Sequence, residues 1–176
     1  MVIKLNIVPM KNILIVVLLT FVYSSGIGQS AKEFYNSGNQ KLDKGQYKQA
    51  IKDYDDSIDL DKTFADAYYN RAVAKNSIKD FKGALEDYSK TIEINPNNVL
   101  AYNNRGLVKK TLKDYDGAVE DYTKAIEINP TFASAYLNRG NISVLEKQPE
   151  LGCDDFNKAL DLGLNKALEY VAKYCK

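Results

Sequence analysis

Residues 99–132 read VLAYNNRGLVKKTLKDYDGAVEDYTKAIEINPTF, and residues 65–98 read ADAYYNRAVAKNSIKDFKGALEDYSKTIEINPNN. The two stretches are identical at 18 of 34 positions and share A-Y-x-N-R, then K-D-[FY]-x-G-A-x-E-D-Y-x-K-x-I-E-I-N-P. Self-similarity at a fixed period describes a whole fold, so it takes precedence over any local reading. The same frame extends back over residues 31–64 and forward over 133–163, which makes four units.

Each unit carries two stretches with apolar residues at helical spacing, Ala65 to Ile78 and Phe81 to Ile94 in the second. Small residues recur at the eighth place (Gly38, Ala72, Gly106, Gly140) and at the twentieth (Ala50, Ala84, Ala118, Gly152). They predict a hairpin whose helices approach closely. Phe34, Tyr68, Tyr102 and Tyr136, with Tyr54, Tyr88, Tyr122 and Phe156, are the expected fill between adjacent hairpins. Asn95-Pro96 and Asn129-Pro130 end the second helices, because proline disfavours a helical residue before it. Asp80 and Asp114 are expected to cap the helices that follow them. A lone hairpin cannot bury its apolar face, so stacked neighbours supply the core and the last unit needs a cap. Asn165 to Tyr174 reads as that cap, within 164–175, with Ala167, Leu168, Val171 and Ala172 on one side.

This pattern resembles the tetratricopeptide repeat family over about residues 31–163. The resemblance implies an all-α fold, a right-handed superhelical solenoid of antiparallel helix hairpins with a concave groove lined by the first helix of each unit. It also implies a protein or peptide partner. The groove-facing places of that family hold asparagine at the sixth position of every unit, Asn36, Asn70, Asn104 and Asn138, with Asn39 and Asn141 at the ninth. An amide both donates and accepts, so this row is a candidate clamp for an extended peptide's main chain, with Tyr35, Tyr69, Leu107 and Leu137 adding apolar contacts. The competing reading is that each amide is satisfied inside its own helix. The family's carboxylate clamp for acidic peptide ends needs cations where Tyr35, Leu100 and Asn104 stand, so that clamp is absent.

Arg71, Arg105 and Arg139 recur at the seventh place, and Asp87, Asp121 and Asp155 at the twenty-third. Matched periodicity favours ion pairs that pin helix to helix over a row of ligand contacts. If exposed, each such pair contributes only about 0–1 kcal/mol.

Composition narrows function further. The 176 residues hold no histidine, which excludes His-based acid–base chemistry and His-ligated metals. Two cysteines cannot build a four-thiolate zinc site. We expect no catalytic residue, no metal and no cofactor. Lys and Arg number 24 against 23 Asp and Glu, and a nucleic-acid binder needs a basic excess.

Residues 13–23, ILIVVLLTFVY, follow Lys11 and precede Ser24 to Gly28, the pattern of a secretory signal peptide. Residues 1–28 are therefore expected to be a leader cleaved near Gly28-Gln29, touching a membrane only in transit, and 29–176 an exported domain, periplasmic or secreted. An uncleaved anchor is the alternative, and Met10 is a second candidate start. Cys153 and Cys175 are symmetric about residue 164, so antiparallel helices turning there would place them opposite each other. An oxidising compartment would join them; two free thiols are the alternative. The function expected from all this is an interaction scaffold, with a self-associating envelope subunit as the alternative.

Overall fold

The computed structural model describes residues 30–175. The expected leader, 1–28, lies outside them. Among the described residues there are nine α-helices and no strand. They are α1 (Ala31–Asp43), α2 (Tyr47–Leu60), α3 (Ala65–Ser77), α4 (Phe81–Ile94), α5 (Val99–Thr111), α6 (Tyr115–Ile128), α7 (Ala133–Leu145), α8 (Cys153–Asp161) and α9 (Ala167–Tyr174). A 3-10 turn, Pro149–Gly152, precedes α8. Each odd-numbered helix up to α7 pairs with the next to make a hairpin, each hairpin packs on the following one, and α9 closes the stack against α8.

The helix boundaries follow the repeat. Asp80 and Asp114 cap α4 and α6 by accepting from the amides of Gly83 at 3.0 Å and Gly117 at 3.1 Å. Asn95 and Asn129 stop the same helices in extended conformations before their prolines. The turns between paired helices need one left-handed residue. It is Gly45 in the first hairpin and Lys79, Lys113 and Lys147 in the other three, all with φ between 63° and 70°.

Tyr54, Tyr88, Tyr122 and Phe156 are at most 1% exposed. A Cβ added at Gly106 would meet the Tyr122 ring at 2.7 Å, and one at Gly140 the Phe156 ring at 2.7 Å. The small residues expected at the eighth place therefore make room for the large aromatic of the second helix, and the hairpins close on those rings. The cap helix is rotated from its expected face. Ala167 is buried and Val171 half-buried, but Leu168 is 56% exposed and Ala172 is exposed. Tyr170 and Tyr174 take the inward places instead, with ring centroids 5.0 and 6.4 Å from that of Phe156. Two aromatic rings bury more apolar surface than Leu168 and Ala172 would.

Cys153 and Cys175 form a disulfide with their Cα atoms 5.5 Å apart. It ties the C-terminal end of the cap to the start of α8. None of the described helices is long and apolar enough to cross a membrane.

Candidate functional site: the inner helices and the C-terminal cleft

The arginines and aspartates resolve into inter-helix pins. Arg71 donates through Nε and Nη2 to Asp87 at 2.8 and 2.6 Å, Arg105 to Asp121 at 2.9 and 2.6 Å, and Arg139 to Asp155 at 2.8 Å twice. The remaining Nη1 reaches back to the preceding hairpin, to Asp55, Ser89 and Thr123 respectively. Each guanidinium also lies 5.3 to 5.9 Å from the centroid of the tyrosine three residues before it, Tyr68, Tyr102 or Tyr136. Hydrogen bonds to Asp121 and Asp155 hold the Arg105 and Arg139 pKa values above the ordinary arginine value. With both charges matched inside the fold, the arginines are structural and unavailable to a ligand.

Asn70, Asn104 and Asn138 do not spend their donors within their own helices. They bond from one inner helix to the one before it. Asn70 Nδ2 donates to Asn39 Oδ1 at 2.8 Å and to Tyr35 Oη at 3.2 Å. Asn104 Nδ2 donates to Tyr69 Oη at 2.9 Å, and Asn138 Nδ2 to Asn103 Oδ1 at 2.9 Å. Asn103 in turn donates to Asn104 Oδ1 at 3.2 Å. The sixth-place amides thus spend a donor on the fifth or ninth place of the preceding unit, which lines α1, α3, α5 and α7 side by side. Asn103 is a seam member that a reading of sixth and ninth places misses. It fills a place held by Tyr35 and Tyr69 in the earlier units, and only the neighbouring helix reveals its use.

What remains for a ligand is narrower than the sequence suggests. Asn36 is exposed, Asn141 is half-buried, and neither amide has a partner among the described residues. Tyr35, Tyr69 and Leu107 are half-buried along the inner face. Leu137 is a correction: it is only 6% exposed and packs with Phe156, Ala159 and Ala167, so it supports the groove from beneath and offers no contact surface.

At the C-terminal end the inner face deepens into a cleft of about 490 Å³ between α5, α7 and α9. Lys110, Asn141, Val144, Leu145, Tyr170 and Lys173 are among its walls. That volume lies within the ordinary range of ligand pockets. Burial, and then Lys166, push the Lys110 pKa below the usual lysine value. Sequence reasoning missed Lys110. It stands at a groove-facing twelfth place, and it has no acid where the adjacent lysine has one.

Family models for the tetratricopeptide repeat match residues 65–98 and 99–132, and one for the TPR repeat matches residues 38–77. The chain belongs to the tetratricopeptide repeat family. Its solenoid of helix hairpins is therefore the TPR right-handed superhelix, and the seam asparagines line the inner face of that TPR stack. No curated protein sequence matches it. Among solved structures, the TPR chain resembles a crystal structure of MamA at 28% identity, covering 84% of this chain and 86% of that one with a TM-score of 0.75. It also resembles the first TPR of Spaghetti (RPAP3) bound to the HSP90 peptide SRMEEVD, at 28% identity, 68% and 94% coverage and a TM-score of 0.65. The Arabidopsis OM64 TPR domain is similar at 27% identity, 66% and 96% coverage and a TM-score of 0.64.

Proposed function

We propose that this protein is an exported, non-catalytic scaffold that holds an extended peptide segment or a partner helix along its inner helices. The observation that carries the reading is the inter-repeat asparagine seam. The bonds from Asn70, Asn104 and Asn138 fix the inner face before any partner arrives, so little side-chain entropy remains to be lost on binding. Asn70 and Asn138 keep Oδ1 without a partner among the described residues, and Asn36 and Asn141 keep whole amides. The inner face therefore offers both acceptors and donors to a peptide's main chain, each bond worth about 0.5–1.5 kcal/mol. The peptide-bound TPR of Spaghetti is a relative that uses this fold to hold a peptide. Export is supported by the basic, apolar and small-residue order of residues 11–28 and by the Cys153–Cys175 disulfide.

The test is a pull-down from an envelope extract with the full chain, beside an Asn36→Ala/Asn141→Ala variant and an Asn70→Ala/Asn104→Ala/Asn138→Ala variant. Circular dichroism checks that each remains helical. The first variant breaks no internal bond. A partner retained by the native protein and lost by that variant supports the inner face. A partner retained by both variants moves binding to the convex face or the ends. A mass that rises with concentration and no captured partner supports a self-associating subunit.

A further inference from the structure

Lys110 is the one half-buried basic side chain among the described residues without a carboxylate. Lys41, Lys75 and Lys109 each reach the aspartate twelve residues on, Asp53 at 2.6 Å, Asp87 at 2.8 Å and Asp121 at 3.0 Å. Arg71, Arg105 and Arg139 reach the aspartate sixteen residues on, and Lys90 pairs with Glu93 at 2.7 Å. Twelve residues beyond Lys110 stands Tyr122, fully buried. Removing a cation from water without an opposite charge is costly. Burial and Lys166 lower its pKa accordingly.

The surroundings define what would match that cation. Lys110 opens into the cleft between α5, α7 and α9, where Asn141 has an unpartnered amide and Val144, Leu145 and Tyr170 form an apolar wall. Lys173 is a second cleft cation, 4.9 Å from the Tyr174 ring centroid. Glu169 is the one acid in the lining and forms no ion pair with either lysine among the described residues. The cleft thus carries an excess of positive charge beside apolar surface.

We propose that this cleft receives an acidic side chain of the partner segment flanked by apolar residues, its carboxylate on Lys110 and Asn141 and its neighbours on Val144, Leu145 and Tyr170. This rests on the reading of the inner face as a peptide groove. It differs from a grip on a chain terminus, because the cations stand on α5 of the third unit and on the cap helix and a single carboxylate satisfies them.

The probe is the peptide Gly-Ser-Leu-Glu-Leu-Gly-Ser, blocked at both ends, titrated to millimolar concentration into the full chain and followed by amide chemical shifts. Shifts at Lys110, Asn141 and Tyr170 are expected, with affinity reduced about tenfold by Lys110→Gln or by glutamine in place of the peptide's glutamate, a difference of about 1.4 kcal/mol. Lys110→Gln also removes an unmatched charge, so its melting temperature is expected to stay level or rise, which separates lost binding from lost folding. Equal binding by the glutamine peptide or by Lys110→Gln overturns the proposal, and so does an absence of shifts. So does a response confined to the same peptide with a free carboxyl end. A partner captured by Lys110→Gln as well as by the native protein, and lost by Asn36→Ala, which lies outside the cleft, overturns this inference while the groove reading stands.

Discussion

Arg105 grips Asp121 through two nitrogens, at 2.9 and 2.6 Å, while its third reaches Ser89 of the preceding hairpin. The Asp121 side chain is 4% exposed, and Lys109 approaches its other face at 3.0 Å. This is a different energetic regime from an exposed pair. Deleting one partner leaves a buried charge short of its match, at a cost of about 3–5 kcal/mol. Arg105→Ala is therefore expected to lower stability by several kcal/mol in urea unfolding. Arg105→Lys should restore little, because an ammonium cannot supply the two-pronged grip and the contact to Ser89 together.

Tyr54 and Tyr122 occupy the same place in their hairpins, yet their hydroxyls have opposite fortunes. Tyr54 donates to Asn39 Oδ1 at 2.8 Å, whereas Tyr122 Oη is buried with no partner. The cause is the ninth place of the first helix, Asn39 in one unit and Leu107 in the other. Tyr54→Phe is expected to cost about 0.5–1.5 kcal/mol, and Tyr122→Phe to be neutral or stabilising, since it removes an unsatisfied buried group. Thermal melts of the two variants side by side check the contrast. A Tyr122→Phe loss equal to that of Tyr54→Phe would contradict it.

These two cases show what the sequence made legible. The period, the hairpins, the aspartate caps, the Arg–Asp pins and the cysteine pairing are all short-range or periodic, so residue spacing exposes them. The asparagine seam was visible as a row but not in its bonding, because Asn70 and Asn104 find their partners about one repeat back, 31 to 35 residues away. The cap's rotation was missed because its helicity allowed two apolar stripes, and only Phe156 and the disulfide select the one with Tyr170 and Tyr174. Lys110 was missed because an unmet charge is defined by what fails to come near it.

Alkaline pH gives a third test. Burial pushes the hydroxyl pKa values of Tyr54, Tyr88 and Tyr122 well above their ordinary value of 10.0. The unfolded chain releases those protons from about pH 10 upward while the folded one retains them, so the unfolded state binds fewer protons there and stability falls. Their contribution is complete below pH 10 and is lost as pH rises toward the folded-state values. Tyrosinate absorbance and far-ultraviolet dichroism, followed together, are expected to show a late-titrating group of tyrosines that ionise with unfolding. Tyr88→Phe should reduce the slope of stability against pH. Early ionisation of all tyrosines without loss of helix would refute the burial argument.

The disulfide offers the most local of the predictions. Cys153 and Cys175 are separated by 22 residues, a loop whose closure is worth about 3 kcal/mol on the chain-entropy account. In a stacked array each unit is stabilised chiefly by its neighbours, so that loss should not spread evenly. It should fall on the end that has one neighbour. Reduction, or Cys153→Ser/Cys175→Ser, is expected to abolish hydrogen-exchange protection in α9 first and to weaken it in α8, because Tyr170 and Tyr174 then hold the cap by packing alone. Protection in α3 and α4, three hairpin interfaces from the end, should change little. Uniform loss of protection across the array would mean that the stack unfolds as one unit and that the disulfide stabilises all of it.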